Sequence, residues 1–224
     1  MKRVYHIFTL VMLVSGCDQQ TSEYFPLGNK LRWEYSIQQT VNGKNEESKS
    51  ILSNLPKQKV NNIFIYPRKS ASGEIYYFRK TPQAIYHTNS QDESGGIVMS
   101  YPLDQGVKWR AGSSIHILAS RHESFSGDEA YISLDEPITL DYIVKNTNET
   151  VNVPAGRFTE CVRIEASGKI AVNVRTIGID TIVIEQIEWY APGVGLVKRA
   201  RKEFSLPDKL SGELNQELVS IKEG

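Results

Sequence analysis

The stretch KLRWEYSIQQTVNGKN, residues 30–45, decides the fold class. Leu31, Trp33, Tyr35 and Ile37 alternate with Arg32, Glu34, Ser36 and Gln38. A period of two puts the apolar set on one face of an extended chain and the polar set on the other. Asn42-Gly43 then supplies the residue types that a two-residue hairpin turn demands. The pattern repeats in SKSILSN, NNIFIYP, GEIYYFRK, QAIYHT, GIVMSYP, SSIHILASR, ITLDYIVKNTN, RFTECVRIEAS, KIAVNVRTIG and DTIVIEQIEWY. These segments are short and rich in β-branched and aromatic residues, as strands are. None carries a helical stripe. SGELNQELVSIKEG at the C-terminus has helix propensity, but its ELVSI also reads as a closing strand. The expectation is an all-β chain: a single antiparallel curved sheet, barrel-like or a sandwich.

Turn chemistry agrees with that reading. In NVPAGRF, Pro154 fixes φ for the first corner and Gly156 forms the exit. In WYAPGVGLVK, Pro192-Gly193 has the form of a type II turn, and Gly195 tolerates a bulge or a close backbone approach. PLGNKLRW and PLDQGVKW echo one another, each a Pro-Leu turn delivering a Trp-bearing strand.

The chain has 224 residues, with 26 basic and 26 acidic side chains. Nothing in that balance points to nucleic acid. The first residues, MKRVYHIFTLVMLVSGC, pair a basic start with an apolar run too short to span a bilayer, which needs about 20 residues. That is the layout of a secretory signal peptide. Its end, Val14-Ser15-Gly16-Cys17, resembles the lipobox of bacterial lipoproteins. The resemblance implies cleavage before Cys17, a diacylglycerol on its sulfur and an acyl chain such as palmitate on its amine. It also makes Asp18 a sorting signal for the inner membrane. The domain plan is then a signal peptide over 1–16, a lipidated Cys17 with its tether over 17–23, and one β domain over 24–224. Without Lys2 and Arg3 the mature chain keeps 24 basic against 26 acidic residues, near −2. Asp18 to Glu23 reach roughly 20 Å when extended, which holds the domain close to the bilayer.

YFPLGNKLRWEY, VPAGRFTECVRIE and EWYAPGVGLVKRA together resemble the signature blocks of a broad group of bacterial lipoproteins and exported β-proteins of unknown function. The first block departs from the usual spacing in placing Gly28 early, whereas PLDQGVKW keeps it. The resemblance implies a curved antiparallel sheet or barrel-like fold and carries no catalytic residue, because the group has no agreed activity.

Candidate chemistry is sparse. With Cys17 lipidated, Cys161 stands alone and reads as a small packed residue, although strand alternation groups it with Thr159, Arg163 and Glu165 rather than with Phe158, Val162 and Ile164. His116 and His122 are six residues apart, about 20 Å along a strand and too far for one metal. With His87 they form no metal-binding spacing, so no metal and no cofactor is expected. No Gly-x-Ser-x-Gly elbow or phosphate loop occurs. KRARK, with Lys198, Arg199, Arg201 and Lys202, suits an exposed edge strand blunted by charge. Its functional alternative is contact with anionic headgroups. The aromatic supply (Phe25, Trp33, Tyr35, Tyr76, Phe78, Tyr190 and others) forms either a core or the lining of a cavity.

These readings place the protein in the bacterial envelope, on the periplasmic face of the inner membrane. They make it a non-enzymatic binding or assembly-support module with an envelope protein partner. The alternatives are a carrier or sensor of an acyl chain or other hydrophobic ligand, and an envelope hydrolase.

Overall fold

The structure, a computed structural model, describes residues 23–223 apart from 29, 42, 89–94, 119–137, 175–177 and 207–209. Residues 1–16, expected as a signal peptide, together with Cys17, Asp18 and His122, lie outside the described residues.

Every element described is a strand: β1 Leu31–Val41, β2 Lys44–Asn54, β3 Gln58–Val60, β4 Ile63–Ser70, β5 Ile75–Lys80, β6 Ala84–Thr88, β7 Gly95–Ser100, β8 Lys108–Ser113, β9 Ile138–Val153, β10 Gly156–Val174, β11 Gly178–Ala191, β12 Gly195–Leu206 and β13 Ser211–Glu223. All pairings are antiparallel within one sheet, in the order β7-β6-β5-β4-β2-β1-β13-β12-β11-β10-β9-β8, with β3 paired to β4. The sheet curls until its edges, β7 and β8, come close, but no ladder joins them. The result is a nearly closed barrel with one lateral gap.

The hairpins turn where the sequence places them. Val41 pairs with Lys44 around Asn42-Gly43, and Gly43 takes φ +78°. Gly193 takes φ +72° after Pro192, as a type II turn requires. Trp33 and Tyr35 of β1 reach across to that hairpin, donating to the carbonyls of Val194 at 2.7 Å and Leu196 at 3.0 Å. The C-terminal segment is a strand, not a helix, and β13 locks the two halves of the sheet together by pairing with both β1 and β12.

Cys161 is fully buried, against the strand-alternation expectation. A bulge between Phe158 and Cys161, with Glu160 at φ +55°, shifts the phase so that Cys161 and Val162 are both buried. Burial pushes its thiol up to about 11, which keeps it protonated and inert.

Two short segments leave the sheet and close the barrel at opposite ends of β12. The strap, residues 23–28, crosses the Gly195 end. Phe25 and Leu27 insert from it into a cluster with Phe78, Ile85, Met99, Leu103, Trp109 and Tyr190. Leu27 and Leu103, the matching leucines of the two echoed Pro-Leu turns, thus share one cluster. The plug, residues 114–118, crosses the other end, where Ile115 and Leu118 pack with Ile138, Leu140, Ile182 and Ile184. SSIHIL was expected as a strand, but only Ser113 belongs to one. A third cluster gathers Leu31, Trp33, Tyr35, Cys161, Val197 and Leu218. The sheet, the strap and all three clusters lie between Glu23 and Glu223, so the chain after Cys17 carries the whole described fold.

Candidate functional site

The barrel is not filled. A cavity of ≈ 880 Å³ lies behind the gap between β7 and β8. Strand alternation turns Gln186, Glu188 and Tyr190 of β11, Arg199 and Arg201 of β12, and Gln216 of β13 into it. Register then pairs them: Glu188 stands opposite Arg199, Gln186 opposite Arg201, and Arg199 opposite Gln216. The facing wall is less polar, with Ile97 and Val98 of β7 and Tyr76 of β5.

The polar wall saturates itself. Arg199 donates from Nε and Nη2 to Glu188 Oε1 at 2.8 and 2.7 Å, and from Nη1 to Gln216 Oε1 at 3.3 Å. Tyr190 donates its hydroxyl to Glu188 Oε2 at 3.0 Å. Burial works against the charge on Arg199, but the Glu188 carboxylate outweighs it and lifts its pKa above the usual guanidinium range. Burial likewise pushes the Tyr142 phenol up to about 12, with Glu188 adding to the effect. One step along β12, Arg201 donates to Glu203 Oε1 at 2.8 Å and to Gln186 Oε1 at 2.9 Å, and also to the Ser114 carbonyl. Glu203, 0 % exposed, accepts the backbone N–H groups of His116, Ile117 and Leu118 at 2.9, 2.9 and 3.0 Å. A carboxylate is thus the anchor of the plug.

An inner chamber of ≈ 320 Å³ adjoins the cavity at the strap end, and the two share Ile37, Tyr76, Val98, Tyr190, Arg199 and Gln216. Its centre is Arg68 of β4. The guanidinium sits 4.8, 4.5 and 5.2 Å from the ring centres of Phe25, Trp33 and Phe78. Nε donates to Asn54 Oδ1 at 2.9 Å and Nη2 to the Pro26 carbonyl at 3.0 Å, which holds the strap. Burial pulls the Arg68 pKa down to about 10, with Tyr35 and Tyr190 partly opposing, so it stays charged at neutral pH. The strap is held further by Gly193 N–H on the Glu23 carbonyl at 3.0 Å and by Lys80 on the Glu23 carboxylate at 2.8 Å. Outside it, Tyr24, Lys80, Tyr101 and Leu103 line a surface groove of ≈ 820 Å³.

The edge-strand expectation for KRARK is overturned. β12 is paired on both sides, and its charges divide between the two faces of the wall. Lys198 and Lys202 lie outside, on Glu217 at 2.7 Å and Glu213 at 3.6 Å. Arg199 and Arg201 line the cavity and are engaged with carboxylates, so neither is placed to meet headgroups. Of the histidines, His87 and His116 also line the cavity. The Ser114 hydroxyl lies 3.4 Å from the His116 ring, but the neighbouring carboxylate, Glu203, is occupied by three amides. Among the described residues no group of three metal-ligating side chains occurs. Of the expected aromatics, Phe25, Trp33, Tyr35, Tyr76, Phe78 and Tyr190 line the inner chamber, whereas Phe64 is exposed and Trp189 bonds to Glu149.

Sequence reasoning missed Arg68, Gln186, Glu188 and Glu203. A usable signal existed for Glu188: counting back from the Pro192-Gly193 hairpin sets it beside Arg199 once the bulge at Trp189/Tyr190 is allowed for. Arg201-x-Glu203 on one strand is a same-face pair of opposite charge. Arg68 gave no local signal.

A family described as DUF3108-like matches residues 140–213, from β9 to the start of β13. No curated protein matches the chain. Among solved structures, a Bacteroides fragilis protein described as exported and having a YmcC-like fold is 15 % identical, with 89 % of this chain and 99 % of that one covered at a TM-score of 0.45. A Parabacteroides distasonis protein described as a lipoprotein is 17 % identical, with 91 % and 100 % covered at a TM-score of 0.41.

Proposed function

We infer that the chain is a lipid-anchored protein of the bacterial envelope whose barrel binds a ligand with an apolar body in its interior cavity. The address rests on Cys17 and the residues before it, with Asp18 favouring the periplasmic face of the inner membrane. The binding role rests on one observation: a cavity of ≈ 880 Å³ reached through the only gap in an otherwise continuous described wall. That volume falls in the range of ligand sites, roughly 300–1,000 Å³. An assembly-support module has no use for it, so the ligand reading stands ahead of that one. A non-enzymatic role fits the saturation of the polar wall. Glu188 is taken by Arg199 and Tyr190, and Glu203 by Arg201 and three amides, which leaves neither as a free base.

Two measurements test this reading. In the full-length protein, labelled palmitate is incorporated and the protein fractionates with the inner membrane; Cys17→Ser abolishes the labelling. Residues 18–224, purified without detergent and examined by native mass spectrometry, carry an apolar adduct or take one up on titration. A cavity that takes up no apolar compound sinks the binding role, whatever the labelling shows.

A further inference from the structure

We propose that the inner chamber is an anion subsite: Arg68 takes the carboxylate or phosphate of an anionic amphiphile, whose apolar body runs through the larger cavity toward the gap between β7 and β8. This rests on the ligand-binding reading and names the ligand's chemistry. The chamber wall holds two cationic side chains, Arg68 and Arg199, and no acidic one among the described residues. Arg199 is neutralised by Glu188 from the neighbouring cavity. Arg68 is not neutralised: among the described residues it makes no ion pair, and Nη1 carries no hydrogen bond. Among the described residues the two compartments are lined by Arg68, Arg199 and Arg201 against Glu188; with Glu203, buried behind Arg201, counted as well, one positive charge remains in excess.

An enclosed cation normally has its counter-charge built in, because an unpaired one is costly to remove from water. Here three ring faces and two neutral acceptors reduce that cost. A structural clasp for the Pro26 carbonyl needs only Nη2, and a neutral donor would serve. What it leaves over is a planar donor fork and a full charge facing ≈ 320 Å³ of space. Guanidinium matches carboxylate and phosphate in shape, and a charge-assisted bond in such a site is about twice as strong as a neutral one. The remaining lining of the chamber is aromatic or aliphatic apart from Ser50 and Gln216. In the larger cavity the side chains of Gln186, Glu188, Arg199 and Arg201 are bonded within their own wall, and the path for an apolar body runs along the facing wall of Tyr76, Ile97 and Val98. That sequence of surfaces is complementary to an acid head followed by an alkyl chain.

The test is calorimetric titration of residues 18–224 with decanoate, decyl phosphate, decanol, decyltrimethylammonium and inorganic phosphate. Both amphiphilic anions are expected to bind about tenfold or more tightly than decanol, with the cation weakest. Arg68→Met is expected to erase the anion advantage, so that decanoate and decanol then bind with about equal affinity. Equal affinity for decanoate and decanol in the unsubstituted protein overturns the anion subsite but leaves the binding role standing. Absence of binding by all four alkyl probes overturns both. Inorganic phosphate binding as tightly as decyl phosphate overturns the amphiphile. Should Arg68→Met fail to fold by circular dichroism, the series on the unsubstituted protein decides alone.

Discussion

The two ends of the barrel are closed by similar means and opposite charges. At each end a short segment leaves the sheet, inserts apolar side chains and is clasped by an enclosed ionic side chain. At each end, too, the segment passes over a glycine. The strap lies on Gly195, where an added Cβ would come within 3.2 Å of Pro26 Cδ, and the plug lies on Gly212, where it would come within 2.3 Å of Ile117 Cγ2. The clasps differ in one respect. Glu203 grips amide N–H groups and has Arg201 as its counter-charge, whereas Arg68 grips a carbonyl and has none among the described residues. The plug end is therefore electrically complete, and the strap end holds a positive charge in reserve. A closed end that is neutral serves only the fold, while one left charged is suited to receive something.

The comparison breaks most visibly at Glu203. Glu203→Ala strands the Arg201 guanidinium and orphans three N–H groups, and is expected to cost about 3–5 kcal/mol in urea unfolding. Amide exchange at His116, Ile117 and Leu118 should accelerate with it; unchanged exchange there would falsify the carboxylate clasp. Gly212→Ala drives a methyl into the stiff side chain of Ile117 and is expected to cost about 1–3 kcal/mol. Gly195→Ala meets a looser contact but requires φ +92°, and is expected to cost about 1–2 kcal/mol, read from the urea midpoint. Arg68→Met should be the mildest of the substitutions, within about 1 kcal/mol, because lost hydrogen bonds are offset by removal of an uncompensated charge. A loss as large as that of Glu203→Ala would erase the distinction between the ends.

The smallest effect is on pH dependence. Burial first, then Arg201 and Arg199, lower the His116 pKa, while Glu203 opposes them; burial also lowers that of His87. A histidine whose folded pKa lies below its unfolded value near 6.5 binds more protons when unfolded. Its contribution to stability is complete above pH 6.5 and falls as the pH drops below that. Thermal melts should therefore show the midpoint declining from pH 7 to pH 5, and His116→Gln should flatten that decline.

Much of this architecture was legible in the sequence, and the limits of legibility have physical causes. Alternation and turn chemistry are local, so LRWEYSIQQT, Asn42-Gly43 and Pro192-Gly193 read correctly without any partner in view. Burial of charge is not local. KRARK looked solvated because charges usually are, yet β12 has one face turned into a barrel, and its counter-ion Glu188 lies across a hairpin. SSIHIL has a strand's apolar spacing, but no neighbouring edge takes its amides, and Glu203, more than eighty residues downstream, does so instead. Arg68 is encased by rings from three separate segments, and only Phe78, on the next strand, lies near it in the chain; Phe25 and Trp33 come from the strap and β1.

The pairing of β1 with β13 also governs timing. Leu31 meets Glu223 across that ladder, so β1, the first strand described, waits for β13 before its second neighbour exists. Until then the chain holds two half-sheets, ending at β1 and at β12, and both open edges wait for β13. Such distant closure slows folding and leaves strand edges exposed while the ends search for one another. Delivered from its N-terminal side, the chain therefore keeps its sheet unclosed until β13 is available to join β1 to β12.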